Sequence, residues 1–72
     1  MLGDFVVIKS KLRVKIAETG IKQNKLSEEL NVTPQTFSSW VNGKAVPSLE
    51  VAFKLAKKLD CTIEEIFEYI ED

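Results

Sequence analysis

Histidine is absent from the 72 residues, and cysteine occurs once, at Cys61. The first absence removes the side chain that most often activates a nucleophile or binds a transition metal. A Gly-rich phosphate loop and metal-ligand spacing are also missing, so no enzymatic activity is expected and no metal or cofactor is assigned. A lone cysteine excludes an internal disulfide. Long hydrophobic runs are lacking too. Phe5-Val6-Val7-Ile8 falls far short of the roughly 20 apolar residues of a membrane helix. It also lacks the basic start and small-residue cleavage site of a secretory signal. A cytoplasmic protein is expected, with no membrane partner and no small-molecule ligand evident. Beyond that run no strand pattern of useful length appears, and there are no repeats or low-complexity segments.

What is present suits one small folded unit, assigned to residues 1–72. Hydrophobic residues make up 44% and charged residues 29%, a balance of core and surface that a disordered tail does not have. A chain this short buries only about 60% of its unfolded surface, so dimerisation would be a natural supplement to its stability. The net charge of −1 hides an asymmetry. Residues 1–44 carry Lys9, Lys11, Arg13, Lys15, Lys22, Lys25 and Lys44 against four acids, for a net +3. Residues 45–72 carry Lys54, Lys57 and Lys58 against seven acids, for a net −4. For a nucleic-acid surface the distribution matters more than the total.

Helical periodicity dominates. Phe5, Ile8, Leu12 and Ile16 predict a first helix over about 6–19, stopped by Gly20, although Phe5–Ile8 also fits a short strand. A second helix is expected over Gln23–Leu30, with Leu26 and Leu30 inward and Asn31 taking the left-handed position at its end. The third opens with Thr33 as N-cap and Pro34 at the first helical position, and closes at Asn42-Gly43. Its Phe37, Trp40 and Val41 form an apolar face; Gln35, Thr36, Ser38 and Ser39 form a polar, uncharged one. Ser48 caps a fourth helix, Leu49 to about Leu59, with Leu49, Ala52, Phe53, Ala56 and Leu59 as its apolar face. Thr62 and Glu65 make a capping box for a fifth, whose Ile63, Ile66, Phe67 and Ile70 face inward.

Residues 23–43 carry the chemistry. A helix that enters the major groove needs a short bracing helix, a tight turn and a polar outward face. Ser27 supplies the small residue where the two helices meet, Asn31 the turn, Val32 the residue beneath it, and Phe37 and Trp40 the anchors. Gly20-Ile21-Lys22-Gln23-Asn24-Lys25-Leu26-Ser27-Glu28-Glu29-Leu30-Asn31-Val32-Thr33-Pro34-Gln35-Thr36-Phe37-Ser38-Ser39-Trp40-Val41-Asn42-Gly43-Lys44 resembles the Cro and phage-repressor (XRE) helix-turn-helix family. Pro47-Ser48-Leu49 and residues 61–67 extend the resemblance, which covers roughly 8–67. It implies an all-α, five-helix, lambda-repressor-like DNA-binding domain with its helix-turn-helix at about 23–42. It further implies a sequence-specific regulator of transcription that binds duplex DNA as a homodimer and represses at an inverted repeat.

By that resemblance Gln23 starts the bracing helix and bonds a phosphate. Thr33, Gln35, Thr36 and Ser39 occupy recognition positions, and Asn42 and Lys44 contact the DNA backbone. Gln35 has the donor and acceptor for a bidentate pair with adenine, and the Thr36 methyl can meet a thymine methyl. Ser38 is a further candidate. Four departures stand out: Ser27 for the usual Ala, Asn31 for Gly, Val41 for a frequent Glu, and Lys22 for a Ser/Thr cap. No arginine lies on the outward face of the third helix, so the strongest guanine-reading contact is missing there. A site read through A·T pairs, methyl contacts and shape follows.

Other features read more simply as structure. Trp40 is a core residue by its spacing with Phe37 rather than a base-stacking platform. Cys61 precedes a helix start that would lower a thiol pKa, which makes a redox sensor the minor reading beside a core residue. Lys54, Lys57 and Lys58 read as a solvated face, and the C-terminal acids as a surface turned from DNA. Phe67, Tyr69 and Ile70 are candidates for the dimer interface, as are Phe5, Val6 and Val7. Because fold alone does not fix function, a protein-interaction module on the same fold, an antitoxin or anti-repressor subunit, is the second reading.

Overall fold

The computed structural model describes residues 8–70. In chain order they form strand β1 (Ile8–Ser10), helices α1 (Leu12–Thr19), α2 (Gln23–Glu29), α3 (Pro34–Val41) and α4 (Leu49–Lys58), a 3-10 turn (Ile63–Glu65) and strand β2 (Phe67–Tyr69). The strands pair antiparallel, with Ile8 opposite Tyr69, Lys9 opposite Glu68 and Ser10 opposite Phe67. Four α-helices and a two-stranded sheet thus replace the five helices expected.

Both differences have one cause. The first helix, expected over about 6–19, begins only at Leu12, because residues 8–10 are extended against β2. The Lys11 amide donates to the Ile66 carbonyl at 2.8 Å, joining the start of α1 to the end of the 3-10 turn. At the other end the Thr62–Glu65 capping box forms as its residues predict, with the Thr62 amide 3.0 Å from Glu65 Oε2. The helix it opens lasts a single 3-10 turn and then gives way to β2. Phe67-Glu68-Tyr69 is aromatic-rich, and a partner strand overrides a weak local helical preference. The share of the first expected helix at residues 6–7, and the candidates Phe5, Val6 and Val7, lie outside the described residues.

Three helices end alike, in a residue with positive φ followed by a pair of backbone bonds that satisfy carbonyls of the last turn. After α2 it is Asn31 (φ 61°), with Val32 N–H to Ser27 O and Asn31 N–H to Glu28 O, each 3.0 Å. Gly43 (φ 77°) follows α3, with Lys44 N–H to Ser39 O at 2.9 Å. Asp60 (φ 56°) follows α4, with Cys61 N–H to Ala56 O at 3.0 Å. The Asn31 and Gly43 ends agree with the sequence; Asp60 was not anticipated.

Leu12, Leu26, Phe37, Trp40, Val41, Leu55, Ala56, Leu59, Ile66 and Phe67 make one buried cluster to which every helix contributes. Full burial of a large aliphatic or aromatic side chain stabilises by about 1.5–3 kcal/mol. The α4 face needs correction: Ala52, Leu55, Ala56 and Leu59 are buried, whereas Leu49 and Phe53 are 70% and 57% exposed. Residues 52, 55, 56 and 59 and residues 49, 53 and 56 are both acceptable helical stripes, so periodicity could not choose between them. Phe67, an expected dimer contact, lies in the core with 8% exposure and is not free to meet a partner. Tyr69 and Ile70 are exposed.

Candidate nucleic-acid interface

The bracing helix packs against the third helix, and its Ser27 is buried at 2% exposure. Its hydroxyl donates to the Asn24 carbonyl at 2.9 Å, so a buried polar atom is satisfied within its own helix and does not push the neighbouring helix away. The chain then turns at Asn31 and enters α3 through Thr33. Thr33 Oγ1 accepts from the Thr36 amide at 3.1 Å, and Pro34 occupies the first turn without losing a hydrogen bond. Phe37, Trp40 and Val41 bury the inner face of α3. The Phe37 and Trp40 rings lie 5.6 Å apart, tilted by 54°, and Trp40 is only 6% exposed, which makes it core and not a stacking platform.

The outer face follows from that burial. Gln35, Thr36 and Asn42 are exposed, and Ser38 and Ser39 are half-buried. Gln35, Ser38, Ser39 and Asn42 fall at i, i+3, i+4 and i+7, so they share one stripe of α3 and its C-cap. All three hydroxyls on this face are engaged locally, Thr36 Oγ1 accepting from Thr33 Oγ1 at 2.9 Å. Ser39 Oγ donates to the Thr36 carbonyl at 2.6 Å, and Ser38 Oγ accepts from Asn42 Nδ2 at 3.3 Å. Thr33, through its capping bond, serves the helix first. Gln23 is the first residue of α2 and half-buried, and Lys44 lies exposed just beyond Gly43. Gln35, Ser38, Ser39 and Asn42 are therefore brought together on one stripe; Thr33 and Thr36 lie at the start of the same helix, and Gln23 and Lys44 on segments before and after it.

One contact was missed in the sequence. Arg13, exposed on α1, donates from Nη2 to Asn42 Oδ1 at 2.6 Å across 29 residues of chain. Neither residue alone signals the pairing, which depends on how α1 packs against α3.

Elsewhere among the described residues four lysines meet carboxylates, Lys25 reaching Glu29 at 3.8 Å. Lys15 reaches Glu65 at 3.1 Å and Glu18 at 3.3 Å, while Lys58 reaches Glu29 at 3.2 Å and Lys54 reaches Glu50 at 3.3 Å. The backbone amide of Thr62, and then Lys15, hold the Glu65 carboxyl below the usual carboxylate range. The bond to Glu65 in turn raises Lys15. Burial pushes the Cys61 thiol up, with Glu65 adding to the effect, so the lowered pKa inferred from its position before a helix start is not found. Among the described residues no helix is long and apolar enough to cross a membrane.

A short brace, a left-handed turn and a capped second helix with a polar outer stripe define a helix-turn-helix. The chain belongs to the Cro/C1-type HTH DNA-binding domain family, whose match spans residues 11–72. It is 40% identical over 65 residues to an uncharacterized HTH-type transcriptional regulator of Methanocaldococcus jannaschii, covering 90% of this chain and 98% of that one. The uncharacterized HTH-type transcriptional regulator YgzD of Bacillus subtilis is 37% identical over 60 residues, covering 83% and 91%. A crystal structure of a Bacteroides fragilis protein superposes with a TM-score of 0.79 at 24% identity, covering 85% of this chain and 98% of that one, and so shares the fold.

Proposed function

We propose that the protein is a sequence-specific transcriptional regulator that binds duplex DNA as a homodimer and represses by occupying an inverted-repeat operator. The observation that carries this reading is the outer stripe of α3: polar, uncharged, and mounted on a helix whose inner face is fixed by Phe37, Trp40 and Val41. A surface meant for an apolar protein partner would place leucine, valine or phenylalanine there. In this reading α3 lies in the major groove. Gln35 pairs with adenine, Thr36 and Ser39 contact bases or phosphates, and Ser38 lies beside them. Gln23, Asn42 and Lys44 contact the DNA backbone, and Thr33 holds the helix start that approaches it. With no arginine on the stripe, the operator is read through A·T pairs, methyl groups and shape.

The dimer would place two α3 helices in successive major grooves, about 34 Å apart. Two apolar areas are open to a second copy: Tyr69 and Ile70 at the end of β2, and Leu49 and Phe53 on α4. Around the second area Glu50, Lys54, Lys57 and Glu64 supply both signs of charge. Such a mixture is compatible with a two-fold contact, in which each patch meets its own copy.

The test is selection of bound duplexes from a random pool, followed by titration of the enriched site across a salt series. Recovery of an inverted repeat, with affinity falling steeply as salt rises, supports a dimeric operator-binding protein. Recovery of no site by folded protein refutes the reading and turns attention to a protein partner.

A further inference from the structure

We infer that Arg13 is part of the DNA interface, holding Asn42 at the C-terminal end of α3 and binding a DNA phosphate beside it. The inference rests on the DNA-binding reading of α3 and adds a residue from a different helix.

Three observations converge on Arg13. It is the chain's sole arginine, and it stands exposed on α1. Its Nη2 lies 2.6 Å from Asn42 Oδ1, which places the guanidinium at the end of the stripe that holds Gln35, Ser38 and Ser39. The same Asn42 amide donates from Nδ2 to Ser38 Oγ at 3.3 Å. Arg13, Asn42 and Ser38 are thus linked in a row, and both ends of the Asn42 amide have a fixed role. In that row Ser38 Oγ is the acceptor, so the bond does not use its O–H donor.

The contact does not satisfy the guanidinium. A guanidinium carries five N–H donors in a planar fork, and one bond to a neutral amide leaves four donors and the whole positive charge. Lys15, Lys54 and Lys58 each meet a carboxylate; the partner of Arg13 among the described residues is an uncharged oxygen. Were stability alone the purpose, a carboxylate partner would give a stronger bond.

The position also selects the ligand. A recognition helix reads base edges with its N-terminal residues, so its C-terminal end lies closer to the sugar-phosphate backbone. Arg13 and Lys44 flank that end, one from α1 and one from the segment after Gly43. Planar guanidinium suits the paired oxygens of a phosphate, and such contacts fix register without reading sequence. Arg13 therefore adds the charged phosphate contact that α3, with neither arginine nor lysine, does not supply.

The test compares the wild-type protein with Arg13→Met, Arg13→Lys and Asn42→Ala on the selected operator duplex, each titrated across a salt series. The proposal expects Arg13→Met to weaken binding on the order of tenfold. It also expects the slope of log affinity against log salt to flatten by about 0.9 per half-site. Arg13→Lys should keep the wild-type slope, because the charge is kept. In the Asn42→Ala background Arg13→Met should still flatten the slope, since the phosphate contact is direct. Thermal unfolding of each variant separates loss of fold from loss of contact. An unchanged slope in folded Arg13→Met, with the wild type still showing steep salt dependence, overturns the proposal and leaves the DNA reading standing. A wild type that binds no duplex overturns both.

Discussion

Asp60 ends α4 with φ 56°, a backbone conformation that an L-residue adopts at a cost. For an ordinary side chain that cost is about 1–2 kcal/mol, and aspartate lies at the low end because its short polar group tolerates the region. The carboxylate adds a second penalty. It sits at the negative end of the helix dipole, where an anion is unfavourable by about 0.3–1 kcal/mol. Glycine removes both terms but loses more chain entropy on folding, which returns about 0.5–1 kcal/mol. The net for Asp60→Gly is stabilisation of about 0.5–1 kcal/mol, or a rise in Tm of about 2–8 °C for a domain of this size. The paired bonds from Asp60 N–H to Lys57 O and Cys61 N–H to Ala56 O are backbone bonds and survive the change. Thermal unfolding followed by circular dichroism measures the shift. Asp60→Asn isolates the charge and should raise Tm by a smaller amount. Asp60→Ala also removes the charge but keeps the left-handed strain without the tolerance of a polar side chain, so it should melt below both the glycine and the asparagine variants. If the alanine and glycine variants melt together, backbone strain at this position is not the controlling term and the reasoning fails.

Glu65 is held low in the folded state, so the stability it contributes is present above its unfolded value of about 4.3 and is lost as pH falls through the folded value. The Tm difference between wild type and Glu65→Gln should accordingly shrink between pH 6 and about pH 3; a constant difference would show that the carboxylate charge is irrelevant. Gln35→Ala should relax preference at one A·T pair per half-site by about 1–3 kcal/mol while leaving the salt slope unchanged. A second selection from random duplexes checks this, and recovery of the same site at the same strength would remove Gln35 from readout. For the dimer, sedimentation of Tyr69→Glu and of Phe53→Glu assigns the contact surface. The variant that dissociates names it, and two unaffected variants exclude both areas.

The helix-turn-helix was legible in the sequence because its determinants are local. Thr33 and Pro34 announce the start of α3 within two residues, and Asn42-Gly43 marks its end. Phe37, Trp40 and Val41 choose the inner face with no competing stripe. What was not legible depends on partners distant in the chain. β1 and β2 are three residues each and pair positions 8–10 with 67–69, so neither run could identify itself as a strand alone. The capping box at Thr62 was read correctly, but a cap specifies where a helix begins and not how far it goes. On α4 two apolar stripes compete, and only the packing of Leu55 against the core decides between them. The bond from Arg13 to Asn42 belongs to the same class: its partners are unremarkable until α1 and α3 are placed.

Stability and readout are separable in α3, and that separation bears on how the surface works. The helix is fixed by the Thr33 cap, the left-handed Gly43 and three buried side chains, none of which lies on the outer stripe. Gln35 is exposed and has no part in the core. Exchange of Gln35 for Lys, Glu or Asn should therefore change Tm by no more than surface substitutions generally do, within about 0.5 kcal/mol, while changing which base pair is preferred. Asn42 differs, because it is bonded on one side to Arg13 and on the other to Ser38. Its replacement disturbs three side chains at once, so its effect on binding should exceed the loss of a single neutral contact. A stripe with one freely exchangeable position near its start and one constrained position at its end is the arrangement expected when bases are read at one end of the helix and the DNA backbone is gripped at the other.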